Sequence, residues 1–393
     1  MIPKRDAFLL PEGQAYLDGN SLGPLPAHAP ARMEEVMRRE WGEMAITGWN
    51  RAGWISLPER LGDRIAPLIG AGPGEVIVGE TLSIRLWQAL AAALKLTDRK
   101  VVLTDSGNFP SDLYMAEGLL AQLGQGHELR VVAPEEVAGA LTPEVGILML
   151  TEVDYRSGRR HDMAALTAAA HEAGALALWD LAHSAGAVDV DLKSADADFA
   201  VGCTYKYLNG GPGAPAFLWA APRFAGRLHN ALPGWLGHAK PFDFDLGYAP
   251  AAGIRGMRVG TPSILAMAAL DAALDVWEGV DMGQIRAASI ALSERFIAGV
   301  EAACPELALA SPRDPALRGS QVSFRHPESY AICQALIARG VVGDFRAPDL
   351  VRFGITPLYI GEEEIDRATE TLREVMAGRL WEDPAYAARQ AVT

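Results

Sequence analysis

The sequence predicts an α/β protein, with a large, mostly parallel sheet domain and a small α+β domain at its C-terminal end. Three observations predict it. Short runs rich in Val, Leu and Ile alternate with longer stretches of helical period, the order that lays helices on both faces of a parallel sheet. After about Pro262 the order changes, with two long helical stretches followed by strands and further helices. The 393 residues are 50% hydrophobic and 21% charged, enough to build a sizeable core in one large or two ordinary domains.

The expected strands of the large sheet are 76–78, 101–104, 129–132, 146–150, 176–179, 199–203 and 216–219. Between the fifth of these and the one before it, Met163, Leu166 and Ala170 recur at i, i+3 and i+7, and Gly174 stands where a helix would be capped. Beyond Pro262, helices are expected at 263–279, 282–302, 329–339 and 362–376, and strands at 307–310, 322–324 and 351–355. In the last helix Ile365, Ala368, Leu372 and Val375 mark one apolar face. This divides the chain into an N-terminal segment, 1–50, a large domain, 51–275, and a small domain, 276–393.

With 35 Lys and Arg against 49 Asp and Glu, the formal net charge is −14. A nucleic-acid or anionic-membrane partner is not expected of such a chain, since neutralising phosphates takes clustered positive charge. No apolar run approaches the roughly 18 residues of a membrane span, and no signal-peptide core follows Met1. The three cysteines, Cys203, Cys304 and Cys333, are too scattered for a disulfide framework or a zinc site, which fits a reducing cytoplasm. No metal is expected.

The stretch 179–211, WDLAHSAGAVDVDLKSADADFAVGCTYKYLNGG, carries the chemistry. Asp180 closes an apolar strand, His183 follows three residues later, and Lys206 stands just beyond the next strand. Adjacent parallel strands end side by side at the edge where α/β proteins bind ligands. Asp180 and Lys206 can therefore meet. Pyridoxal 5′-phosphate (PLP) needs this pair, a lysine for a Schiff base and a carboxylate beside the pyridine nitrogen. Tyr205 adds a phenol, and Glu80-Thr81-Leu82-Ser83 opens a helix whose backbone N–H groups suit a phosphate. On the residues alone, a strand-end acid and a solvated lysine are the more common reading of Asp180 and Lys206. Ser83 reads as a helix N-cap, and Phe109-Pro110-Ser111-Asp112 as a turn.

Six stretches carry a resemblance: DGNSLGPLP (18–26), FPSD (109–112), DLAHSAG (180–186), YKYLNGGPG (205–213), PGWLGH (233–238) and MRVGTPSIL (257–265). Together they closely resemble the kynureninase family of fold type I, aminotransferase class V-like PLP enzymes, in unbroken order from Asp18 to about Tyr359. Thr204 and Leu236 replace the commoner Ser and Phe.

The resemblance implies hydrolytic cleavage of L-kynurenine, and more weakly of 3-hydroxykynurenine, to anthranilate and L-alanine in tryptophan degradation. It implies PLP on Lys206, Asp180 at the pyridine nitrogen, and Tyr205 as a proton donor whose pKa the cationic cofactor lowers. Phe109 would stack on the ring, with Pro110, Ser111, Asp112, Thr151 and His183 around it and Leu82 and Ser83 near the phosphate. Trp235 and Thr261 would reach the site of a neighbouring subunit, so a homodimer is implied. Arg352 would hold the substrate's α-carboxylate, while Trp49, Asn20 and Gly260 would line the substrate site. A bulky Trp49 in place of a histidine favours kynurenine over its 3-hydroxy form. The rival readings are a cysteine desulfurase or a class V aminotransferase of the same fold.

Overall fold

The computed structural model describes residues 4–390. Its main sheet has seven strands: β1 (Val76–Val78), β2 (Val101–Asp105), β3 (Glu128–Val132), β4 (Val145–Thr151), β5 (Leu176–Asp180), β6 (Phe199–Gly202) and β7 (Phe217–Ala220). Their order is β1-β7-β6-β5-β4-β2-β3, with β7 antiparallel to both neighbours and every other pair parallel. All seven expected runs are present. The differences at their ends matter for chemistry, because Asp105, Thr151 and Asp180 belong to the strands while Cys203 falls in the turn after β6.

The central strands are buried on both faces, as in β4, where all seven residues are buried. Among the helices covering them are α1 (Leu82–Leu94), α2 (Pro110–Leu123) and α3 (Met163–Ala173). Helix α3 begins where Asp162 Oδ1 accepts the Ala165 N–H at 2.9 Å and ends at Gly174, whose φ of 79° closes the helix in the left-handed region.

Helix α4 (Ile264–Leu274) is shorter than the expected 263–279. The chain tightens into one 3₁₀ turn at Asp275–Trp277, and Glu278 is already extended before Gly279 at φ 69°. Helix α5 (Met282–Ala303) is capped by Asp281. Next comes an antiparallel four-stranded sheet of β8 (Ala308–Leu309), β9 (Gln321–Arg325), β10 (Asp344–Arg346) and β11 (Leu350–Gly354), ordered β8-β9-β11-β10. Helices α6 (Ser329–Ile337) and α7 (Glu362–Ala377) belong to the same part of the chain, and the expected apolar face of α7 is buried.

The N-terminal segment ties the two parts together. Ala15–Tyr16 pairs in parallel with Val341–Val342, and the Gly23 N–H then donates to the Tyr205 carbonyl at 2.8 Å. Glycine is required there. A Cβ on residue 23 would lie 2.3 Å from the Lys206 carbonyl oxygen.

Candidate active site

The parallel register delivers the site. Thr151 lies beside Asp180, and Asp180 beside Val201, so β4, β5 and the turn after β6 end at one edge. Lys206 stands in that turn, with its Nζ 6.0 Å from the centroid of the Phe109 ring and 5.7 Å from that of Tyr205. Asp105, at the end of β2, accepts the Gly107 N–H at 2.7 Å and meets His161 Nε2 at 2.6 Å, bracing the turn that presents Phe109. The Phe109 ring is 42% exposed and packs edge-on against Tyr155 at 5.0 Å. Pro110 and Ser111 open α2, and Asp112 lies in its first turn.

Asp112 and Asp180 are both buried, and only Asp180 has a hydrogen-bond donor, the Ala182 N–H at 2.8 Å. Burial pushes the Asp180 carboxyl up to about 6, against the pull of the Lys206 charge. Burial, and then the Asp180 charge, hold Asp112 well above the usual carboxylate range. Asp180 is thus the member of the buried pair that carries the charge, beside Lys206. His183 beside them is held neutral by burial and by the Lys206 charge, and its Nδ1 has no partner. Thr151 Oγ1 reaches the Val153 carbonyl at 3.3 Å and the Asp180 carbonyl at 3.5 Å.

Two expectations are corrected. Thr81, in extended backbone, is the N-cap of α1, so Ser83 is the second helical residue and not the cap. No side chain caps this end, which leaves its first-turn N–H groups, including those of Leu82 and Ser83, available to an anion. The Tyr205 phenol is pushed upward, by burial first and then by Cys203 and Asp180, so the protein's own groups keep it protonated.

Arg352 is no surface charge. It is 1% exposed on β11, directly across from Asp344 on β10. Nε donates to Asp344 Oδ1 at 2.7 Å and Nη2 to Asp344 Oδ2, while Nη2 also reaches Ser21 Oγ at 3.1 Å and Nη1 the Tyr155 carbonyl. Asn20 is fully buried with both side-chain amide atoms unpartnered, and a Cβ on Gly354, two residues along β11 from Arg352, would lie 2.3 Å from its Oδ1.

The remaining expected residues stand apart. Trp235 is 41% exposed and packs on Phe242, Trp49 packs on Trp54, Gly260 is half-buried and Thr261 is exposed. Among the described residues, no hydrogen bond or ring contact joins these four to Lys206, Asp180 or Arg352.

The sequence reading missed Asp18, Asp344 and Arg346. Asp344 and Arg346 alternate at i and i+2 on a three-residue strand, a period-two signal too short to stand out. Cys333 lies buried within α6, with Sγ 3.5 Å from the Gly343 carbonyl and its thiol pushed well up by burial. That is no place for a nucleophilic cysteine.

A family model described as the kynureninase C-terminal domain matches residues 285–372. Kynureninase of Pseudomonas fluorescens is 49% identical over 401 aligned residues, covering all of this chain and 96% of that protein. Kynureninase of Burkholderia pseudomallei (strain K96243) matches to the same extent. Among solved structures, the apo cysteine desulfurase of Thermococcus onnurineus NA1 has a TM-score of 0.81 at 20% identity, covering 95% of this chain and 98% of that one. A cystine C–S lyase in complex with cysteine persulfide has a TM-score of 0.79 at 18% identity, covering 92% and 98%. At those identities the structural likeness speaks for the fold alone.

Proposed function

This chain belongs to the kynureninase family, and on that premise we propose that it hydrolyses the Cβ–Cγ bond of L-kynurenine, giving anthranilate and L-alanine, with PLP as cofactor. The observation that carries the reading is the buried Asp112–Asp180 pair facing Lys206 at the strand edge. The buried Asp180 carboxylate at the strand edge and a helix end with no side-chain cap suit a pyridinium and a phosphate.

In this reading Lys206 would hold PLP covalently, Asp180 would pair with the ring nitrogen, Phe109 would lie against the ring, and Leu82 and Ser83 would offer backbone N–H groups to the phosphate. Pro110, Ser111, Asp112, Thr151 and His183 surround it. Bound there, PLP supplies the electron sink that makes the α-proton acidic and the Cβ–Cγ bond breakable. The chain's own groups move the protons. Lys206 Nζ takes the proton from the substrate's Cα. Water adds to the γ-carbonyl carbon as Tyr205, kept protonated by its surroundings, donates to the carbonyl oxygen; the phenolate takes a proton back from the hydrated carbonyl as the Cβ–Cγ bond breaks and returns it at Cβ. Tyr205→Phe is expected to lower kcat by ~10²-fold or more, and unchanged turnover would remove that role. Arg352 and Asn20 hold the α-carboxylate end.

The active assembly is a homodimer in which Trp235 and Thr261 complete the partner's site and Trp49 and Gly260 shape the aryl pocket. The exposure of Trp235 and Thr261 supports this, as do exposed Met37, Trp41, Ile46 and Leu265 and an apolar groove of about 300 Å³ lined by Trp41, Trp54, Pro262 and Leu265. No helix among the described residues is long and apolar enough to cross a membrane, and we place the enzyme in the cytoplasm, acting in tryptophan degradation. The organisation that serves this activity is an N-terminal segment, 1–50, a cofactor domain, 51–275, and a small domain, 276–393. Incubating the PLP-loaded protein with L-kynurenine and following anthranilate fluorescence tests the reading. Equimolar anthranilate and alanine support it, and no anthranilate overturns it.

A further inference from the structure

We propose that Arg346 is a second cation of the carboxylate-binding end, and that Asp344 is the positioning residue that holds Arg346 and Arg352 together on one carboxylate. The inference rests on the kynureninase reading above and assigns two residues that reading leaves unused.

The geometry is a built cluster. Asp344 lies across from Arg352 in the β10–β11 register and takes the Nε–Nη2 edge of its guanidinium. On the same carboxylate, Oδ2 is 2.9 Å from Arg346 Nη2 and accepts the Ser21 hydroxyl at 2.5 Å. With the Nε–Nη2 edge of Arg352 gripped by Asp344, Nη2 also donating to the Ser21 hydroxyl and Nη1 to the Tyr155 carbonyl, one N–H of Nη1 is left for a ligand, which makes a second cation useful. Ser21 Oγ also lies 3.3 Å from Arg346 Nη2, so both guanidiniums converge on the same point. The Arg346 charge is also felt at the Tyr205 phenol and at the buried His183 ring.

The charge count shows what is missing. Two guanidiniums bring +2 and the Asp344 carboxylate −1. Asp18, the other acid here, is pushed up to about 8 by burial and by Asp344, so it is mostly neutral at pH 7. One positive charge is left over, with Arg352 and Asp344 each 1% exposed and the Arg346 side chain 33% exposed. Water screens that charge only from the Arg346 side, and one substrate carboxylate balances it. The same excess explains why a single Asp344 serves two arginines, because a second ionised acid would cancel the attraction for the ligand.

The test compares Arg346→Gln, Arg346→Lys and Asp344→Asn with the wild type as PLP-loaded enzymes. Three ligands are used: L-kynurenine as substrate, L-alanine followed by the cofactor's absorbance, and kynuramine, which lacks the carboxylate, as inhibitor. Arg346→Gln is expected to raise the KM for L-kynurenine and the dissociation constant of L-alanine by ~10-fold or more, with a smaller fall in kcat. Affinity for kynuramine should stay within ~2-fold, and Arg346→Lys should restore part of the loss. Asp344→Asn should weaken L-alanine through Arg352 and leave kynuramine unaffected. Unchanged L-alanine affinity in Arg346→Gln overturns the proposal, as does a parallel loss of kynuramine affinity. The L-alanine arm reads carboxylate binding directly, so it decides the matter even if the wild type releases no anthranilate.

Discussion

The two ends of this site offer a ligand opposite charges. At the strand edge, burial holds Asp112 protonated and leaves Asp180 as the ionised acid beside Lys206. Against the small sheet, two guanidiniums, Arg346 and Arg352, share a single ionised carboxylate, Asp344. The first end presents a carboxylate to a pyridinium, and the second presents a guanidinium to an α-carboxylate. Folding alone would favour balanced clusters or apolar packing at such depth. What the difference teaches is that the chain holds these groups ready for a ligand with both charges.

Four substitutions can break or sharpen that contrast. The largest effect is expected at the acid end. Asp180→Asn should cost ~10²–10³-fold in kcat, because it removes the charge that holds the ring proton. Asp112→Asn should cost far less, since burial already keeps Asp112 protonated and the amide is close to isosteric with the neutral acid. Equal losses in the two variants would mean that both acids are ionised. At the arginine end, Arg352→Met should cost ~2–5 kcal/mol in kcat/KM, seen mainly as KM, because it removes one of the two guanidiniums on buried Asp344 and leaves Arg346 alone to pair with it.

The fourth substitution reads the arginine end through stability. The fold raises the Asp18 pKa from 3.8 to about 8. The stability tied to its proton is therefore fully present below about 4 and lost as pH rises through about 8. Thermal melts of wild type against Asp18→Asn across that window should show the wild type losing stability relative to the variant with rising pH. A constant difference would mean that Asp18 is ionised throughout. The smallest effect lies outside both ends. Trp49→His should improve 3-hydroxykynurenine relative to kynurenine by no more than ~10-fold, measured as the ratio of kcat/KM values.

Much of this was legible in the sequence, for different reasons at different places. The seven strands of the main sheet stood out because strands such as β4 are buried on both faces and read as unbroken apolar runs. Asp180, Lys206, Phe109 and Arg352 were found through motifs that occupy a strand end, a turn or a strand. The N-terminal strands, such as Ala15–Tyr16, were missed because two-residue elements carry no periodicity. Asp344 was missed because its role comes from strand register, which places it across from Arg352, and single-sequence patterns do not encode long-range pairing. The phenol of Tyr205 was misjudged because its environment was assigned from the cofactor alone, without Cys203 and Asp180.

The central claim is that the cofactor joins this chain at Lys206, between the acid pair and the Phe109 ring. Borohydride reduction of the PLP-loaded protein, followed by proteolysis and mass mapping, tests it most directly. A phosphopyridoxyl label on the peptide carrying Lys206, absent in Lys206→Ala, is the predicted result. A label on another lysine, or none in the wild type, would contradict the account.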